Sequence, residues 1–222
     1  MKVIVTDIET KDTLQTAVIL SIGAVVVDTD TLTIGETFNC VMGQNQPGRT
    51  VSESTMAWWE KQRNENFEAW EEVFKPFNDG ALKDGLELFG EWIEQTGIKR
   101  PQVFGNGPEF DNTILEHAFK TELGRSAPWD FGSNQSIRTA VLFGRMLLDI
   151  DPKKDLPFEG VQHRALDDAR HEAKILIEVL KQFKGALALS EDIKTAEQEI
   201  KKVAVTSRGK VVGWVDAEKE EE

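Results

Sequence analysis

The chain has 222 residues, 40% hydrophobic and 29% charged, with a formal net charge of −13 and a sequence pI near 4.8. That size and balance suit a soluble domain with a proper core. The charge excludes broad, tight, sequence-independent nucleic-acid binding, which needs Lys and Arg to displace phosphate counterions. A single cysteine, Cys40, excludes an internal disulfide and fits a reducing compartment. No apolar run reaches membrane-spanning length and no charged leader precedes the first strand, so a cytoplasmic protein without a membrane segment is expected.

Lys2 to Thr10 opens as a β-branched run and ends in Asp7 and Glu9. Side chains two apart on a strand share a face, so the two carboxylates converge at its carboxyl end. Carboxylates this close to a buried run require a positive partner, and no Lys or Arg adjoins them before Lys11. A hard divalent cation, Mg²⁺ or Mn²⁺, is the natural one; the plain alternative is a strand end meeting solvent.

Ala17–Val27 and Leu32–Met42 read as second and third strands joined by a tight turn. Gly43–Thr50 is a loop. A helix starts at Ser52–Thr55 and carries Trp58 and Trp59, one suited to the core and one to stacking on a nucleobase. Glu65–Glu72 is a second short helix, and Asp79–Thr96 a longer amphipathic one closed by Gly97.

Pro101–Phe104 is a short strand running through a Gly- and Pro-containing loop to Asp111, at the first turn of a helix to Leu123. A carboxylate there either serves the helix dipole or faces a site at the strand–helix junction. Gln135–Thr139 reads as a last strand and Ala140–Leu148 as a helix, with Arg138 and Arg145 two turns apart. Asp151–Gly160 reads as a loop. His163 precedes a helix through Phe183 whose first turn holds Asp168; Ala165 and Ala169 let it lie close to its neighbours. His117 and His171 read as helix-surface residues. Ser190–Lys202 then reads as a charged helix, Val203–Thr206 and Val211–Val215 as a hairpin, and the acidic end from Asp216 as disordered.

A strand Asp7-x-Glu9, a later Phe110-Asp111 at a helix start and a terminal His163-x-Ala165-x-x-Asp168 resemble the DEDDh branch of the DEDD (DnaQ-like) 3′–5′ exonuclease family over residues 2 to 183. Ser54-Thr55-x-x-Trp58-Trp59 and Ile137-Arg138-Thr139 look most like its phage DexA-type and mycobacterial exoribonuclease-like branch. Two positions depart from the commoner pattern: Thr10-Lys11-Asp12 lacks the usual Thr/Ser-Gly turn, and Gly107 stands where many relatives have Asn.

The resemblance implies a ribonuclease H-like α/β fold, a mixed five-stranded sheet flanked by helices, over residues 1–184. A C-terminal helix and hairpin extension follow over 185–222, packed on the core or reaching to a second subunit in a homodimer. It implies that Asp7, Glu9, Asp111 and Asp168 bind two Mg²⁺ or Mn²⁺ ions, that His163 is the general base, and that Thr10 contacts the terminal nucleotide; Trp58, Trp59 and Arg138 are the further candidate substrate contacts read from the residues themselves. Asp167 is the residue most easily mistaken for the ligand, but helix geometry turns it about 100° from Asp168. The implied activity is stepwise hydrolysis of single-stranded DNA or RNA 3′ ends to nucleoside 5′-monophosphates, in a bacterial or phage-infected cell. Alternatives are a nuclease of short oligonucleotides or capped RNA ends, and a noncatalytic nucleic-acid-binding module on the same fold.

Overall fold

The computed structural model describes residues 1–75, 80–201, 206–207 and 210–211. Its β-branched stretches form β1 (Lys2–Thr10), β2 (Ile19–Asp28) and β3 (Thr33–Val41), joined as antiparallel neighbours. Two short strands, β4 (Val103–Gly105) and β5 (Asn134–Ser136), add in parallel on the other side of β1. The order β3-β2-β1-β4-β5 puts the Asp-x-Glu strand at the centre of a mixed sheet, the ribonuclease H-like arrangement expected.

Alternation along β1 decides what each face covers. Ile4 and Ile8 join Ile22 and Ala24 on the face packed by α3 (Leu82–Gln95) and α4 (Asp111–Glu122), through Leu86, Phe89, Ile93, Ile114, Leu115 and Phe119. Val3 and Val5 join Val25 and Val27 on the other face, under α5 (Ile137–Leu148) and α7 (Ala165–Lys201), through Ile137, Val141, Ala173 and Leu176. Asp7 and Glu9 continue that second face. Two further helices, α1 (Glu53–Glu65) and α2 (Phe67–Phe74), bury Trp59 and Val73 against Val18 and Leu20. The Ser52 hydroxyl caps α1 by accepting from the Thr55 amide at 3.1 Å.

Several boundaries differ from the sequence expectation. The last strand ends at Ser136, because the Ser136 hydroxyl accepts from the Thr139 amide at 3.2 Å and starts α5 there. The stretch expected to be a loop contains α6 (Pro152–Asp155), with proline at the start of the helix, where its missing N–H costs nothing. The helix expected to stop at Phe183 and restart at Ser190 is continuous to Lys201. Ala186, Leu187, Ala188 and Leu189 are strong helix formers, and Gly185 costs only about 1 kcal/mol against alanine.

By contact density the chain divides into Met1–Leu180 and Lys181–Glu222. In the second unit the end of α7 is followed by β6 (Thr206–Ser207) and β7 (Lys210–Val211), paired antiparallel. The remaining residues of the expected hairpin, the acidic end from Asp216, and the expected helix start at Asp79 lie outside the described residues. No described helix is long and apolar enough to cross a membrane.

Candidate active site

Three elements bring carboxylates together. Asp7 and Glu9 come from the carboxyl end of β1, Asp111 is the first residue of α4, and Asp168 lies in the first turn of α7. A fifth carboxylate was not anticipated: Glu172, one turn beyond Asp168 on α7, is 6% exposed and lines the same cleft. Asp7, Glu9, Asp168 and Glu172 line a cleft of about 390 Å³ with His163 and His171, with Lys153 and Asn106 also on its wall.

Close backbone approaches set this geometry. Gly23 is the register partner of Asp7, and a Cβ on it would lie 2.1 Å from the Ala165 carbonyl carbon. The start of α7 therefore rests on bare β2 backbone, which brings Asp168 down to β1. At Gly105, a Cβ would come within 2.8 Å of an Asp111 carboxylate oxygen. Buried Asn112 holds α4 in place by donating to the Val103 carbonyl at 3.0 Å and to the Asn134 side-chain oxygen at 2.9 Å. Gly23→Val should overpack this contact and destabilise the protein by about 1–3 kcal/mol, with activity lost as α7 is pushed off. A melting temperature and digestion rate like those of wild type would show that α7 does not depend on the contact.

Crowding shifts the acids upward. Burial, then the charges of Asp111, Glu172, Glu9 and Asp168, raise the Asp7 carboxyl well above the usual range. Glu9 is raised by burial, then by Asp168 and Asp111. Burial raises Asp111 to about 7 although amide hydrogen bonds from Asp111 itself, Ile8 and Gly107 oppose it. Burial likewise raises Asp168 to about 6, opposed by the His163 amide. Glu172 is raised by burial, then by Asp111 and Asp168. Each folded value exceeds the unfolded one, so the unfolded chain sheds these protons first and the metal-free fold loses stability as pH rises from about 4 through 7. Asp111→Asn should thus stabilise the EDTA-treated protein over wild type, by a margin that widens on the order of 2 kcal/mol between pH 5 and 8. Paired thermal melts check this; a margin that stays constant or narrows contradicts it.

His163 has a left-handed backbone, φ 66°, which aims its amide at Asp168, donating to Oδ2 at 2.6 Å. Donor atoms of Glu9, His163 and Asp168 lie within 4.8 Å of one another. Burial lowers the His163 pKa, favouring neutral imidazole. Its ring meets the Trp58 ring edge-on, with centroids 4.8 Å apart. The preceding residue is tied down too: the Asn66 side chain donates to the Gln162 carbonyl at 2.5 Å, and Arg164 pairs with Glu72.

The tryptophans divide the two roles. Trp58 is 36% exposed beside His163, whereas Trp59 is 1% exposed and donates from its indole nitrogen to the Thr10 carbonyl at 2.8 Å. Trp59 has no face free for a base, which corrects its expected substrate contact. Thr10 is also buried, and its hydroxyl donates to the Asp12 carbonyl at 2.6 Å, so that group is committed to the turn. Arg138 is at the rim, paired with Glu109 at 2.7 Å, and its charge is felt at Asp111 and Glu172. Asp167 accepts from the Val161 amide at 3.0 Å and pairs with Arg170, a loop-closing role distinct from that of Asp168.

Sequence reasoning missed Glu172, His171 and Lys153. Its spacing predicts a helix-surface position for His171, but the residue lines the cleft with its ring 4.7 Å from Phe158. The available signal was helical spacing: positions three and four beyond Asp168 share its face.

The site's carboxylate oxygens are a set suited to hard divalent cations. Burial first, and then mutual repulsion, raises the pKa values of Asp7, Glu9 and Glu172, and such cations would relieve both.

The model of the 3′–5′ exoribonuclease Rv2179c-like domain matches residues 2–180. No curated protein sequence matches the chain. Among solved structures, the nuclease domain of 3′hExo, a DEDDh family member bound to rAMP, superposes with a TM-score of 0.57 at 15% identity, covering 81% of this chain and 92% of that one. Cell-death related nuclease 4 (CRN-4) gives 0.58 at 16%, covering 81% and 64%. E. coli exonuclease I in complex with a dT13 oligonucleotide gives 0.57 at 9%, covering 85% of this chain but only 43% of that one. At these identities the likeness is one of fold.

Proposed function

This chain belongs to the Rv2179c-like 3′–5′ exoribonuclease domain family, and from that premise we propose that it trims single-stranded 3′ ends to nucleoside 5′-monophosphates at the β1–α7 cleft. The observation that carries the reading is the meeting of Asp7, Glu9 and Asp168 in one cleft with a neutral-leaning His163, with Asp111 near enough for its charge to act on Asp7 and Glu9. Asp7, Glu9, Asp111 and Asp168 would hold two Mg²⁺ or Mn²⁺ ions. Bound there, the ions would neutralise phosphate charge and make a coordinated water acidic.

The chain's own residues do the rest. The His163 imidazole accepts the proton of the attacking water, a role that needs the neutral form. The hydrogen bond that its backbone amide donates to Asp168 fixes the backbone that carries the ring. Lys153 on the cleft wall, and Arg138 through a charge that reaches Asp111 and Glu172, offer positive charge to the substrate's phosphates. Trp58 presents an exposed ring to a terminal base next to the site of cleavage. Trp58→Ala should weaken binding of a single-stranded oligomer by about 1–3 kcal/mol, read by fluorescence titration. Unchanged affinity would make Trp58 a support for His163 alone.

The test is a mass-identified digest of matched DNA and RNA oligomers with Mg²⁺, Mn²⁺ or EDTA. The family's description makes RNA the first substrate to try. Nucleoside 5′-monophosphates released stepwise from the 3′ end, and none with EDTA, support the reading. Endonucleolytic fragments, or digestion insensitive to EDTA, overturn it.

A further inference from the structure

We propose that Glu172 is a fifth carboxylate of the metal centre, a direct ligand alongside Asp7, Asp111 and Asp168; the assignment rests on the metal-dependent reading above. Three observations carry it. Glu172 is 6% exposed, and its Oε2 is buried without a hydrogen-bond partner. It lies one turn from Asp168 on the face of α7 that lines the cleft. It shares that cleft with Asp7, Glu9 and Asp168, and Lys153 stands on the same wall.

A buried carboxylate oxygen without a donor is costly unless a cation faces it. If Glu172 served only to pack α7, an apolar residue of its size would do so without that cost, as Ala169, Ala173 and Leu176 do nearby. Five carboxylates against two divalent ions leave one surplus negative charge, which Lys153 on the cleft wall is placed to balance.

The test is calorimetric titration of Mn²⁺ into the full-length protein without substrate, comparing wild type with Glu172→Gln. The glutamine keeps the shape and removes the charge. The expected result is a stoichiometry reduced from two ions to one, or a loss of at least tenfold in affinity for one ion, with an unchanged circular dichroism spectrum. Should the glutamine variant not fold, Glu172→Met, similar in size and free of polar atoms, is titrated in its place with the same expectation. Wild-type stoichiometry and affinity in the folded variant overturn the assignment. If wild type itself takes up no Mn²⁺, the metal-centre reading fails, an outcome distinct from failure at Glu172 alone.

Discussion

Alanine at Asp7, Glu9, Asp111 or Asp168 is expected to bring turnover down to the level of an EDTA-treated control while leaving a folded chain. Each of these acids is held at a raised pKa by burial, and Asp7 and Glu9 also by repulsion from the other acids. Removing one relieves repulsion in the metal-free state, so the fold gains or holds stability as function is lost. The measurement pairs digestion of a labelled oligomer with a thermal melt in EDTA. Wild-type turnover in any of the four variants takes that residue out of the site. A collapsed melt would instead show that the residue holds the structure together, which its unfavourable electrostatics argue against.

His163→Ala should keep metal and substrate binding and lose catalysis by roughly 10²–10⁴-fold, the usual worth of a positioned acid–base group. Imidazole is a poor ligand for Mg²⁺, which prefers oxygen. The proximity of His163 to Glu9 and Asp168 makes the metal titration decisive. If His163→Ala loses metal affinity as severely as Asp168→Ala, the histidine is a ligand and the base must be sought elsewhere. The rate–pH profile offers a second view. Burial lowers the His163 pKa, so the basic form is available below the ordinary histidine range and the rising limb should shift accordingly.

The parts of this molecule legible from sequence were those with a short period. Asp7 and Glu9 could be placed on one face because strand alternation is two residues, whereas His163 and Asp168 are singled out by the family resemblance, whose His-x4-Asp spacing they match at a helix start. The roles of Trp58 and Trp59 could not be divided beforehand. Helical geometry separates neighbours by about 100° but does not say which side will meet the sheet. That answer came from the indole bond to the Thr10 carbonyl, a contact between residues 49 apart in sequence. Gly23 carried no signal either. Its importance lies in the approach of Ala165, set by how α7 crosses the sheet. Glu172 was legible in principle, as an acid among Ala169, Ala173 and Leu176 on a buried helix face.

The two ends of the proposed reaction stand on ground of different firmness. Asp7 and Glu9 belong to β1, the middle strand, paired with β2 along its length and with β4 at Ile4 and Val5. His163 belongs to an irregular segment with a left-handed backbone, moored by the links from Gln162 to Asn66 and from Arg164 to Glu72. Amides of a central strand exchange with solvent only when the whole domain opens, whereas such segments open locally at far lower cost. Warming or mild denaturant should therefore strip the protein of its proton acceptor first. It would then pass through a condition in which it still gathers cations on an intact sheet but has ceased to cut.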